Sequence, residues 1–147
     1  MYFSIEEKDV KNVVEEIYGP NTYEPTTFSL GCGEYTLNNG KYTFKSGGCG
    51  GASITFVSNV ITGYEATKSQ LEITTAYAFF DGGTKKIYKD YNKSISLDDY
   101  AGGRTEETNA YLTNYVKNNK EKLSTIVYTF ESPDGRNYYF TGFNNNK

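Results

Sequence analysis

From Gly33 to Gly48, apolar and polar residues alternate on both sides of Asn39-Gly40. Asn-Gly between two alternating runs is the strongest short-range hairpin signal, because a type I′ turn needs positive φ at both central residues. A two-residue loop then fixes the register outward. Asn38 pairs with Lys41, Leu37 faces Tyr42 and Tyr35 faces Phe44, which makes one face apolar. Thr36 faces Thr43 and Glu34 faces Lys45, so the other face is polar and its charges match. Each cross-strand pair of this kind contributes roughly 0.2–1 kcal/mol. A one-residue slip would break them all together.

The same reading covers the rest of the chain. Ser4 and Glu7 have the spacing of a capping box. Val10, Val13, Val14 and Ile17 follow at helical intervals, and Gly19-Pro20 is a stop. This predicts a long N-terminal helix, followed by a loop over Asn21 to Leu30. Ile54 to Ile61 and Leu71 to Phe80 read as strands. Asp81-Gly82-Gly83-Thr84 turns the second of them into Lys85 to Asp90. Tyr91 to Gly103 lacks a period and is read as irregular, with a break at Gly102-Gly103.

A second, short helix is expected from Glu106 to Lys122, with Leu112, Tyr115, Val116 and Leu123 as its apolar stripe. Glu106 and Glu107 near its start, with Lys117, Lys120 and Lys122 near its end, suit the helix dipole. Ser132-Pro133-Asp134-Gly135 suits a type I turn leading into a three-residue hairpin loop. Phe130 would then face Tyr138, and Tyr128 would face Phe140. Asn144 to Lys147 reads as a frayed tail.

The expectation is a single α+β domain over 1–147. Its long N-terminal helix would pack on a curved antiparallel sheet of roughly six or seven strands in hairpins, with the short helix before the last hairpin. A chain of 147 residues can bury a core without staples.

Cys32 and Cys49 bracket the first hairpin. By register both fall on its polar face and lie diagonal to one another, with Gly47 directly opposite Cys32. Diagonal neighbours are about 7–8 Å apart, at the limit of the roughly 4.4–6.8 Å between Cα atoms that a disulfide spans. Bulging of the run Gly47-Gly48-Cys49-Gly50-Gly51 closes that gap, since glycine tolerates irregular backbone angles. A disulfide here would be worth on the order of 3 kcal/mol and would indicate an oxidising compartment. The other reading is two half-buried free thiols.

Charge and composition remove several functions. The net charge is −3 with both signs interspersed, so no basic stripe marks a nucleic-acid partner. No apolar run approaches a bilayer span. Histidine is absent, which excludes Ser-His-Asp and Cys-His nucleophilic sites and histidine-ligated zinc. Two cysteines cannot form a Cys₄ site, and they are not spaced C-x-x-C. The glycines around Cys32 and Cys49 lead into a strand, not a helix, so they match neither a P-loop nor a dinucleotide fingerprint. Asp90 to Asp98 places oxygen ligands at alternate positions, as calcium loops do. Yet Ile95 stands where the sharp turn needs glycine, and Ala101 where a bidentate Glu closes the site. No metal and no cofactor is expected.

Two candidates for chemistry are left. Asp98 and Asp99 with Tyr100 have the composition of a general base beside a phenol donor; the plainer reading is a solvated loop at a helix entrance. The tyrosines have the makings of a sugar- or peptide-binding face, since Tyr can stack while its hydroxyl stays wet. The plainer reading there is cladding of the sheet, because sugar sites lean on Trp, absent here.

Met1 is not followed by the charged and apolar regions of an export signal. Either the chain starts in the cytoplasm, or a signal or lipid-anchored stalk has been removed. The second is the expectation, because a residue just before a clean helix cap is a natural place to trim.

The Asn-, Lys- and Tyr-rich style resembles exported proteins of low-GC bacteria. Leu71-Glu72-Ile73, Lys86-Ile87-Tyr88-Lys89-Asp90, and Tyr128-Thr129-Phe130 with Gly135 and Tyr138-Tyr139-Phe140 resemble small exported or lipoprotein domains of Gram-positive bacteria. A helix across a coiled antiparallel sheet looks like the cystatin-like class, which includes NTF2-like domains. Enzymes of that class place Asp, His or Tyr inside the cone; without histidine, no catalytic residue carries over. The leading expectation is a non-catalytic, extracytoplasmic module that binds a protein partner or small ligand in the concave side of its sheet. The alternatives are an NTF2-like proton-transfer or lyase-type enzyme using Asp98 or Asp99 with a Tyr, and a structural protein of the cell envelope.

Overall fold

The computed structural model describes residues 2–47, 55–100 and 105–146, with side chains for 3–47, 55–100 and 109–145. The fold class is α+β: the described residues form ten strands and two α-helices, and every strand pairing is antiparallel. The chain divides into two compact units, Met1–Ala52 and Ser53–Lys147.

In the first unit, β1 (Tyr2–Glu6) leads into α1 (Glu7–Tyr18), and β2 (Phe28–Leu30), β3 (Gly33–Asn38) and β4 (Lys41–Ser46) follow. The sheet order is β1-β4-β3-β2. The β3–β4 register is the one the alternation dictates, from Asn38↔Lys41 to Glu34↔Lys45. Asn39 and Gly40 have φ of 50° and 74°, as a type I′ turn demands.

The capping box is not formed. Phe3 and Ile5 alternate with Ser4 and pair with Phe44 and Tyr42, so Ser4 sits opposite Thr43 in a ladder. Strand pairing outweighs the cap. The helix starts at Glu7 instead, with Glu6 as an N-cap that makes no side-chain bond. The turn of the hairpin supplies the missing acceptor: Glu7 N–H donates to the Gly40 carbonyl at 2.9 Å. Glu6 also pairs with Lys41 at 3.0 Å.

The N-terminal helix is therefore short, at 12 residues, and it ends at Gly19 as expected. None of its residues is buried: Val10 and Val14 are half-buried, while Val13 and Ile17 are exposed.

The second unit contains β5 (Thr55–Ala66), β6 (Gln70–Asp81), β7 (Lys86–Tyr88), β8 (Ser96–Asp99), α2 (Thr105–Asn119), β9 (Ser124–Glu131) and β10 (Tyr139–Asn146). A 3-10 turn over Lys120–Lys122 extends α2. The six-stranded sheet runs β10-β9-β6-β7-β8, with β5 along the other side of β6. Alternation sorts its faces. Phe56 and Val60 of β5, with Ala76, Ala78 and Phe80 of β6, join Ile87, Leu112, Tyr115, Val116 and Leu123 in the core beneath α2. The apolar stripe read for the second helix is thus the one that is buried.

Three other expectations are corrected. Tyr91 to Gly103 is not wholly irregular, because Ser96–Asp99 pairs with β7. The last hairpin closes through a longer loop: Phe130 faces Phe140 and Tyr128 faces Phe143, with a bulge between Phe140 and Gly142. The cause is Asp134, whose carboxylate accepts the N–H groups of both Arg136 and Asn137 at 2.8 Å and holds the chain in a wider turn. The tail is not frayed through Asn146, since Asn144, Asn145 and Asn146 pair with Val127, Ile126 and Thr125. Ile54, Gly102 and Gly103, and the side chains of Glu106 and Glu107, lie outside the described residues.

Candidate ligand-binding face

The odd-numbered side chains of β6 project to the side opposite α2. Leu71, Ile73, Thr75, Tyr77 and Phe79 form the middle row, with Phe130, Tyr128 and Ile126 of β9 beside the first three. Val57, Ile61 and Tyr64 of β5 flank the other side, and a bulge between Ile61 and Gly63 keeps Tyr64 beside Ile73. Phe140 and Phe143 continue the row onto β10. The rings meet edge-on or tilted. Tyr77 and Phe79 have centroids 5.6 Å apart, Phe130 and Phe140 5.6 Å, and Tyr128 and Phe143 6.4 Å. Ile61 and Tyr64 are 65% and 72% exposed. Among the described residues of this unit, no helix lies on this face.

Thr75 sits near the middle of that face. It is 6% exposed, and its hydroxyl has no hydrogen-bond partner among the described residues. Its cross-strand neighbours are Ile61 and Ile126. A buried hydroxyl without a partner costs about 1–3 kcal/mol.

One end of the face is closed by the segment once compared with a calcium loop. The Asp90 carboxylate accepts the N–H groups of Ser94 and Ile95 and the Ser94 hydroxyl, the last at 2.7 Å. That folds the loop so that Tyr91 meets Phe79 at 5.9 Å and the Lys93 ammonium reaches Asp81 at 2.9 Å. Asp81 is 3% exposed. Lys93 above all, then the Gly83 N–H and the Thr84 hydroxyl, hold its carboxyl below the ordinary carboxylate range against the opposing effect of burial. No group of metal-binding side chains occurs among the described residues.

The candidate proton-transfer residues are separated. Asp98 does not meet a tyrosine next to it in sequence; it accepts a hydrogen bond from the Tyr115 hydroxyl of α2 at 2.8 Å. Burial first, and then the Asp98 carboxylate, push the Tyr115 phenol well above its usual range. Asp99 is solvated, with Lys86 at 3.7 Å. Tyr100 is a core residue, its ring edge-on to Phe80 at 4.5 Å and tilted against Tyr111 at 4.4 Å. A shallow cleft of about 430 Å³ lies beside Tyr100, lined by Thr84, Lys85, Asp99 and Tyr100.

The first unit has its own aromatic row. Phe3, Phe44, Tyr35 and Phe28 follow one another across its four strands at 4.9, 5.0 and 4.8 Å. At its edge, the Tyr23 hydroxyl lies 2.8 Å from that of Tyr42 and donates to Glu7 at 3.2 Å. A cleft of about 360 Å³ opens there between Val10, Val14, Phe28 and Tyr42. Burial and the bond with Tyr42 push the Tyr23 phenol upward.

As the register predicts, Gly47 lies opposite Cys32, donating to its carbonyl at 2.6 Å. No free cysteine occurs among the described residues. Cys49 lies outside the described residues, and with it the geometry of the proposed pairing.

Sequence reasoning placed Tyr115 correctly in the core stripe but missed its bond to Asp98, which joins residues 17 apart. It also missed Thr75 and the Asp81–Lys93 pair. The alternation Leu71, Ile73, Thr75, Tyr77, Phe79 was the available signal for Thr75: one small polar residue in an apolar row. No protein-family model, curated protein or solved structure matches the chain.

Proposed function

We propose that this protein is a non-catalytic, extracytoplasmic binding module that holds its ligand or partner across the aromatic face of the six-stranded sheet. The observation that carries the reading is the set of exposed large side chains on this face, Val57, Ile61, Tyr64 and Phe143, on the side of the sheet where no helix lies among the described residues of the unit. Rings and aliphatic side chains with tyrosine hydroxyls among them suit an occupant with flat apolar surface and a few polar groups, such as an extended peptide or the apolar face of a sugar. The chain carries no basic stripe, so nucleic acid is not the proposed partner. No helix among the described residues is long and apolar enough to cross a membrane. Attachment through a lipid-anchored stalk, a Cys32–Cys49 disulfide and kinship with the cystatin-like and NTF2-like folds belong to the same proposal.

A second reading, the NTF2-like proton-transfer or lyase-type enzyme, is favoured by the Tyr115–Asp98 bond. Its base would be Asp98, with Tyr115 in the place given to Tyr100. A third, the structural envelope protein, needs no occupant at all.

Fluorotyrosine-labelled protein titrated with extended peptides and soluble glycans separates the three. Shifts at Tyr77 and Tyr128, weakened by Tyr64→Ala, support the binding face. Tyr64 is exposed, so the fold of that variant is expected to be retained. Shifts confined to Tyr115 favour the enzyme, and silence at every tyrosine favours the envelope protein.

A further inference from the structure

The strand β5 is a sheet edge of an unusual kind. It is 12 residues long and, among the described residues, pairs with β6 alone. Edge strands invite pairing with another chain, and monomeric proteins blunt them with charges, prolines, bulges or short length. The other edges of this unit are blunted. Asp98 and Asp99 occupy half of the four-residue β8. The strand β10 is interrupted by its bulge and ends in asparagines, which are depleted in strands. In β5 the bulge comes only after Ile61, which leaves Phe56-Val57-Ser58-Asn59-Val60-Ile61 in unbroken register with no charge and no proline.

This stretch is complementary to itself. Antiparallel pairing with a second copy about a two-fold axis at Ser58 sets Phe56 against Val60 beneath α2. It also sets Val57 against Asn59 on the aromatic face. Aromatic–β-branched pairs are favourable cross-strand partners, and no like charges meet. An axis perpendicular to the sheet leaves both aromatic faces on one side, so the second copy continues the face across the interface.

We propose that the chain forms a two-fold dimer by pairing β5 with β5 of a second copy, centred on Ser58. The occupant of the edge is a second copy rather than an unrelated peptide because the uncharged, self-matching register requires no other partner. This goes beyond the binding proposal and stands without it.

The test uses the full chain and two double variants at exposed positions of β5, followed by sedimentation velocity across a wide dilution series. Wild type is expected to sediment as a dimer that dissociates on dilution. V57K/N59K places lysine opposite lysine twice and is expected to be monomeric with an unchanged circular dichroism spectrum. V57K/N59E places lysine opposite glutamate twice in this register alone and is expected to restore the dimer, more weakly at high salt. A monomeric wild type, a dimeric V57K/N59K, or a monomeric V57K/N59E would each overturn the proposal.

Discussion

Tyr42 is the largest fully buried side chain of the first unit, whereas the second encloses Ile87, Leu112 and Val116 between a sheet and a helix. Both draw on the same aromatic-rich composition. The first unit spends its rings in a row along one sheet face, with Phe3 and Phe28 still 44% and 37% exposed. Its order comes from turn geometry, matched pairs and a helix tied to the hairpin turn. The second unit hides aliphatic side chains together with Phe80, Tyr100 and Tyr115, and sets a second group of rings, Tyr77, Phe79, Tyr128 and Phe130, on the side away from α2. Local register is enough to specify a small meander. A contiguous core is what lets a sheet carry a second face on which, among the described residues of its unit, no helix lies.

The sharpest way to break this contrast is Leu112→Ala. Truncating a fully buried leucine costs about 2–5 kcal/mol. Hydrogen exchange is expected to accelerate throughout β5 and β6 while the amides of β3 and β4 keep their protection. Equal loss in both units would show that the division into two cores is wrong.

Asp81→Asn comes next, at about 2 kcal/mol, because removing one member of a buried pair strands the other and Lys93 is partly solvated already. The effect carries a pH signature. The folded carboxyl is held low, so its contribution is present above the ordinary carboxylate range. It is lost as pH falls through the lower folded value. Chemical denaturation of wild type should therefore show an acid slope in the second unit that the variant reduces.

In the first unit, Gly33→Ala is expected to cost about 1–2 kcal/mol, since an added Cβ would overlap the Phe44 ring, 1.7 Å from its Cε2. Chemical shifts of Phe44 and Tyr35 should move while those of Leu112 and Val116 do not. The smallest effect is a titration. Held chiefly by the N–H groups of Asn137 and Arg136, Asp134 should titrate at about 2 by carbon-detected NMR. What it contributes is complete above its unfolded value and disappears as pH falls toward the folded one. An ordinary titration there would mean that the wide turn is not formed in solution.

The same contrast explains what could be read from the chain. The β3–β4 register was legible because an Asn-Gly turn and both faces agreed on it. The last hairpin misled because its turn signal is real, yet the Asp134 carboxylate captures two N–H groups and lengthens the loop. Ser4 and Glu7 carry a genuine capping pattern, overruled by a strand pairing that only the folded hairpin offers. Asp98 and Asp99 were visible as candidates, but Asp98's hydrogen-bonded tyrosine lies on another element. The aromatic face was visible only as alternation. That no helix among the described residues of its unit lies on it is tertiary information.

The aromatic row of the first unit has an optical consequence. Tyr35 has phenylalanine rings 4.8, 5.0 and 6.5 Å away, and the chain holds no tryptophan to drain the excitation. Light absorbed by those phenylalanines will emerge as tyrosine emission while the strands are paired. When the meander opens, that part of the sensitised emission falls; Tyr77, Tyr100 and Tyr128 have phenylalanine partners of their own, so each unit adds its own loss to one label-free signal.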